Sequence, residues 1–288
     1  MKRRMFMRFP GGLIKALTFS YDDGVEQDIR LVEILNKYGM KGTFNLNSGC
    51  YAKPGQVWEP GRVHRRMTED AITELFRDGR HEVAVHSLTH PFLEELPDAV
   101  VAQEVLQDRI NLERQFGKIV RGMAYPMGTY SDAVVNVLKS CGIAYARTTK
   151  ATLDFRIPED WLRLYPTCHH THPQTLELAH KFAETEGKKL KSGHAALFYL
   201  WGHSYEFEGD DNWQLIEDFC AIMAKDADEI WYATNIEIYD YVEDYRRMVA
   251  SADGRLLMNP TTSTLWLSYN GQIVSIAPGE TKDLEEIM

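Results

Sequence analysis

The chain has 288 residues, 44% of them hydrophobic, which is enough core for one large domain or two modest ones. Its formal net charge of -10 argues against nucleic acid or an anionic membrane as the main partner, because either would want a basic face. No apolar run approaches the roughly 18 residues of a membrane span, and no apolar stretch follows Met1-Lys2-Arg3-Arg4 as an export signal would require, so a cytoplasmic protein is expected. The four cysteines are widely spaced, with no C-x-x-C pair, which points to free thiols rather than a disulfide framework or a zinc knot.

In chain order, Ala16-Leu17-Thr18-Phe19 reads as a buried strand and Gly24 as a turn into a helix over roughly 25–38 that stops at Gly39. A strand follows at 42–46. The Gly/Pro-punctuated stretch 48–66 reads as a long functional loop, which feeds a helix starting at Thr68 and stopping at Gly79. The alternation then continues: strand 82–85, helix 97–116, strand 119–125, helix 131–140 capped by Ser131, strand 143–147. After a Pro-rich link at 150–170 come helix 173–184, strand 196–201, helix 211–224, strand 230–233 and a helix capped by Asn235 that runs to about 250.

Such alternation means parallel strands with helical crossovers. About seven or eight strands and about seven helices favour an α/β fold closed into a distorted (β/α) barrel over an open doubly wound sheet. Residues 1–250 are assigned to that barrel and 251–288 to a small β appendage, where Leu265-Trp266-Leu267 and Gln272-Ile273-Val274-Ser275-Ile276 form a hairpin around Asn270-Gly271.

Barrel enzymes build their sites from the loops after the strands, and four polar signals fall there. Asp22 and Asp23 follow the first strand, His86 and His90 the third, Tyr125-Pro126-Met127-Gly128 the fourth, and His203 the strand 196–201. The i, i+4 spacing of His86 and His90 puts both rings on one face if the segment coils into a helical turn. Two imidazoles and an acid can close on one divalent ion. Each signal also has a plain structural reading: adjacent acids complement a helix dipole, and a lone H-x-x-x-H pair arises by chance. Cys168-His169-His170-Thr171-His172 is a rival cluster of ligand types, but neighbours on extended backbone point apart, so the segment is read as a loop near the substrate.

Together Thr18-Phe19-Ser20-Tyr21-Asp22-Asp23-Gly24, His86-Ser87-Leu88-Thr89-His90, Tyr125-Pro126-Met127-Gly128 and Leu200-Trp201-Gly202-His203 resemble the motifs of the polysaccharide deacetylases, carbohydrate esterase family four. The resemblance covers about 10–235. It implies a distorted (β/α) barrel that removes acetyl groups, usually from N-acetylated amino sugars, with one divalent metal, zinc first and cobalt, nickel or manganese as alternatives. It further implies that Asp23, His86 and His90 bind the metal, that Asp22 is the general base and His203 the general acid, and that the Met127 N–H with Tyr125 beside it serves the oxyanion. Trp161 resembles a groove-lining aromatic, with core packing as its alternative. The family often carries an arginine before the Pro-x-Gly turn where this chain has Ala124, and Arg147, at the tip of the next strand, is the expected substitute. Hydrolysis of a non-sugar amide or cyclic imide on the same metal site, or an inactive carbohydrate-binding barrel, are the alternatives.

Overall fold

The computed structural model describes residues 4–185, 193–225 and 227–287; Met1–Arg3, the start of the segment read for an export signal, and Met288, the end of the appendage, lie outside them. The chain opens with β1 (Met5–Arg8), β2 (Lys15–Asp22), α1 (Asp28–Lys37) and β3 (Thr43–Leu46), followed by α2 (Glu69–Phe76), β4 (Glu82–Val85), α3 (Asp98–Phe116) and β5 (Gly122–Ala124). It continues through α4 (Asp132–Ser140), β6 (Tyr145–Arg147), β7 (Cys168–His169), α5 (Thr175–Glu184), β8 (Ala196–Gly202), α6 (Ser204–Gly209), α7 (Gln214–Ala224), β9 (Ile230–Tyr232) and α8 (Asn235–Arg246). A β-rich end closes it: β10 (Val249–Ala250), β11 (Leu256–Met258), β12 (Leu265–Tyr269), β13 (Gln272–Ile276) and β14 (Thr281–Asp283).

The parallel strands order as β6-β5-β4-β3-β2-β8-β7, a curled sheet that makes a distorted (β/α) barrel. One edge of β2 is shared, with Lys15–Leu17 pairing β9 and Ser20–Asp22 pairing β3. Past β6 the ladder continues through a parallel bridge from Arg147 to Leu164, on the segment that leads into β7.

β2 shows why the barrel has two kinds of interior. Its residues alternate with period two. Leu17, Phe19 and Tyr21 face the helices, with Phe19 edge-on to Phe219 and Tyr21 beside Phe207. Ala16, Thr18, Ser20 and Asp22 face into the barrel, where the Thr18 hydroxyl donates to Asn235 and Ser20 accepts from Asn45. Both faces are buried, but the inward face carries the small polar Thr18 and Ser20, so the strand alternates large apolar with small or polar residues and ends in acids.

Several boundaries differ from expectation. The helix after β9 is capped by Thr234, whose side chain accepts from Glu237 N, and Asn235 is the first helical residue. It ends at Arg246, and 249–250 form β10, paired with β11, instead of a last helical turn. The strand expected over 119–125 is only Gly122–Ala124, and β7 and α6 were not foreseen because each is too short to carry a periodic pattern. The 265–276 hairpin forms with its Asn270-Gly271 turn at positive φ, but it takes β1 as a third strand, tying the chain's beginning to its end. Among the described residues no helix is long and apolar enough to cross a membrane, and all four cysteines are free.

Candidate metal and acid-base centre

Asp22 is the last residue of β2, and Asp23 follows at φ +89°, a turn out of the strand that aims the two adjacent carboxylates differently. Asp22 stays in the barrel. Arg147 Nη2 donates to both its oxygens, Asn45 Nδ2 donates to Oδ1 at 2.8 Å, and Oδ2 has His86 Nε2 at 3.8 Å and His203 Nε2 at 3.9 Å. Burial works to raise its pKa, but Arg147, then His86 and His203, outweigh it and hold the carboxyl below the usual range.

Asp23 faces the loop side. Arg66 Nη2 donates to its Oδ1 at 2.8 Å and His64 Nε2 lies 3.2 Å from its Oδ2. Burial again opposes ionisation and loses to His64 and Arg66, so the carboxylate is strongly held as an anion. The loop 48–66 supplies both partners because its end pairs back on Gly24–Glu26, with Arg66 bridged to Val25 and Met67 N bonded to Gly24 O.

His86 and His90 follow β4, and the segment does not coil as a helical turn. Ser87 and His90 both sit at positive φ, near +60°, and this sharper path brings the two rings to 4.8 Å in an edge-on arrangement. His86 Nδ1 donates to Ala124 O at 2.8 Å, which fixes the tautomer and leaves Nε2 free. Burial lowers the His86 pKa to about 4 and also lowers that of His90, so both rings are neutral with lone pairs to offer. Asp23, His86 and His90 each bring a ligand atom within 4.8 Å of the others. Four of the seven non-glycine residues at positive φ among those described, Asp23, Ser87, His90 and Met127, lie at these strand tips, and strained backbone concentrates at functional sites.

His203 follows β8. Its Nε2 points at Asp22 and its Nδ1 lies 3.4 Å from Glu206 Oε2. Burial pulls its pKa down, but Glu206 and Asp22 outweigh this and the net shift is upward. Met127 sits in the 126–128 turn at φ +57°, with its side chain half exposed, while Tyr125 is buried and donates its hydroxyl to Leu162 O. Trp161 is a correction to the groove-lining expectation: it is 7% exposed, packs edge-on to Tyr239, and its indole N–H donates to Glu243 of α8, so it belongs to the core. Arg121 pairs with Asp240 of α8, away from Asp22.

Sequence reasoning missed Asn45, Asn47, His64, Arg66 and Glu206. Arg66 also donates to Asn47 Oδ1, and Asn47 Nδ2 donates to the carbonyls of His86 and Ser87, so one asparagine ties the loop to the histidine turn. The reading of 48–66 as a functional loop was the available signal, but which of its residues would face inward depends on pairing that no local pattern encodes.

Residues 11–146 match the family described as polysaccharide deacetylase. Among solved structures, the chain is similar to a candidate polysaccharide deacetylase from Mycobacterium smegmatis, at 17% identity and a TM-score of 0.58, covering 83% of this chain and 93% of that one. It is also similar to a family 4 carbohydrate esterase from Streptomyces lividans solved with acetate, at 14% identity and a TM-score of 0.50, covering 77% and 93%. A Streptococcus pyogenes deacetylase, likewise solved with acetate, aligns at 22% identity and a TM-score of 0.40 over 46% of this chain, which spans only 55% of that protein's length. The likenesses to the Mycobacterium and Streptomyces structures are of fold. No curated protein matches the chain.

Proposed function

The chain belongs through residues 11–146 to the polysaccharide deacetylase family, and from that premise we propose that it is a metal-dependent hydrolase removing an acetyl group from an N-acetylated amino sugar or oligosaccharide. The observation that carries the reading is the convergence of Asp23, His86 and His90 beside an Arg147-held Asp22 and the Nε2 of His203.

The donor set suits a divalent ion: one anionic carboxylate and two neutral imidazoles, one of them anchored through Nδ1. A zinc-class ion held there would supply Lewis acidity, bringing the pKa of a water from about 15.7 towards roughly 7. Asp22 accepts the proton released by the attacking water. Arg147 and Asn45 hold that carboxylate in one rotamer, so it is already in position when the proton moves. His203, whose raised pKa keeps it protonated at higher pH than a free histidine, donates from Nε2 to the departing amine. Glu206 lies on its Nδ1 side, 3.4 Å away, and adds negative charge there. The Met127 backbone N–H, on its left-handed turn, is the donor assigned to the developing oxyanion.

Acetate release from N-acetylated chito-oligomers and from short peptidoglycan fragments tests this reading. Release should be abolished by a chelator, restored by zinc or cobalt, and reduced about 10²- to 10⁴-fold in kcat by His203→Ala. Glycan binding without any acetate release would instead identify an inactive binding barrel. Turnover confined to non-sugar amides or imides would move the substrate while keeping the site.

A further inference from the structure

The His203 ring has two working ends, and the one turned away from Asp22 enters a second cluster. Glu206 Oε2 has three imidazole nitrogens around it: His169 Nε2 at 3.2 Å, His170 Nε2 at 3.3 Å and His203 Nδ1 at 3.4 Å. Glu206 Oε2 also accepts the His203 backbone N–H at 3.1 Å, and all three imidazole contacts are longer than the ~2.7–2.9 Å of charge-assisted N–H···O⁻ bonds. Ligands around a tetrahedral zinc ion with bonds of about 2.0–2.1 Å are spaced about 3.3–3.4 Å apart, close to the 3.2–3.4 Å that separates Glu206 Oε2 from each of the three nitrogens. His169, His203 and Glu206 each bring a ligand atom within 4.8 Å of the others.

Three features favour a ligand over a packing cluster. His170 is 1% exposed, yet neither of its ring nitrogens has a hydrogen-bond partner, a costly arrangement unless something else satisfies them. Its place is made by Gly202, where a Cβ would lie 2.0 Å from His170 Nδ1. The side chains of His169, His203 and Glu206 are 20%, 22% and 26% exposed, which leaves a path in from solvent. Neighbouring residues on a strand point apart, but β7 ends at His169 and the chain turns at His170, so both rings reach the same carboxylate.

We propose that His169, His203 and Glu206, with His170 as the nearest fourth donor, form a second divalent-metal site of the zinc class, separate from Asp23, His86 and His90. Imidazole nitrogens with a single carboxylate select zinc and its neighbours over calcium or magnesium, which want oxygen. An ion on His203 Nδ1 takes the place of the proton there and leaves Nε2–H facing Asp22, so the second site acts on the acid-base ring without occupying the first.

Metal content of the full chain, dialysed against zinc and counted by elemental analysis, tests this, with cobalt absorption reporting the ligand field of each site. Two ions per chain are expected, falling to one in His169→Ala and in Glu206→Gln, with the remaining cobalt spectrum that of the first site. His86→Ala should also hold one ion, now with the spectrum of the second. Should His169→Ala fail to fold by circular dichroism, His169→Gln, at a partly exposed position, replaces it. A wild type holding one ion, lost in His86→Ala and kept in His169→Ala, overturns the second site and leaves the first intact. Unchanged metal content in His86→Ala overturns the first alone.

Discussion

Arg147 Nη2 donates to both carboxylate oxygens of Asp22 across 125 residues of sequence, inside a barrel where both residues are almost completely buried. The guanidinium also lies over the Trp201 ring, 4.3 Å from its centroid, so its plane is set from one side by an aromatic face and from its tip by the acid. The pair joins β2 to β6, two strands far apart in the sheet order, and brings them together only because the sheet curls.

Because the pair is buried, removing one member should cost more than the pair is worth. Arg147→Ala leaves a buried carboxylate with no guanidinium to balance its charge and only Asn45 still donating to it, and should destabilise the fold by about 3–5 kcal/mol, measured by denaturant unfolding. The double change Arg147→Met with Asp22→Asn should recover most of that loss while remaining inactive. An Arg147→Ala variant as stable as the wild type would mean that the contact does not hold Asp22.

Arg66 touches Asp23 rather than any reacting atom, through Oδ1 and the backbone carbonyl, and also binds Asn47. Its loss should therefore act on metal affinity. Arg66→Ala is expected to weaken zinc binding about 10- to 100-fold in competition with a chelator, with kcat at saturating metal much less affected. A fall in kcat at saturating zinc with affinity unchanged would instead assign Arg66 to substrate.

Asp28 is fully buried at the head of α1, accepting from Val25 N at 3.0 Å and from the Ser204 hydroxyl at 2.6 Å. Burial pushes its pKa up to about 7, against about 3.9 in an unfolded chain. The folded state therefore holds the proton more tightly, and the contribution to stability is fully present below about pH 4 and lost as the pH rises through about 7. Over that window the stability of the wild type should fall with pH by up to about 1.4 kcal/mol per unit from this group. Asp28→Asn, which keeps an acceptor for Val25 N, should remove this part of the slope in melting experiments run from pH 5 to 8. Equal slopes in the two proteins would show that Asp28 is not the titrating group.

The order of strands and helices was legible because an amphipathic helix and a doubly buried strand leave different periods in the sequence, and Gly39, Gly117 and Gly142 mark where α1, α3 and α4 stop. The motif residues Asp22, Asp23, His86, His90 and His203 were legible as strand-tip groups for the same reason. The elements that escaped, β7 and α6, are too short to show any period, and β1 pairs with a strand from the far end of the chain.

What the sequence by itself determined is which side chains the chemistry can draw on, since residue type and position after a strand are local properties. What only the tertiary structure decided is most of their pairing: Arg66 rather than a neighbour on Asp23, Asn45 beside the expected Arg147 on Asp22, and Glu206 among three histidines from two strand ends. These contacts follow from how the sheet curls and from where the 48–66 loop folds back on Gly24–Glu26. Curvature and loop return are set by packing over the whole barrel, so no local window of residues contains them.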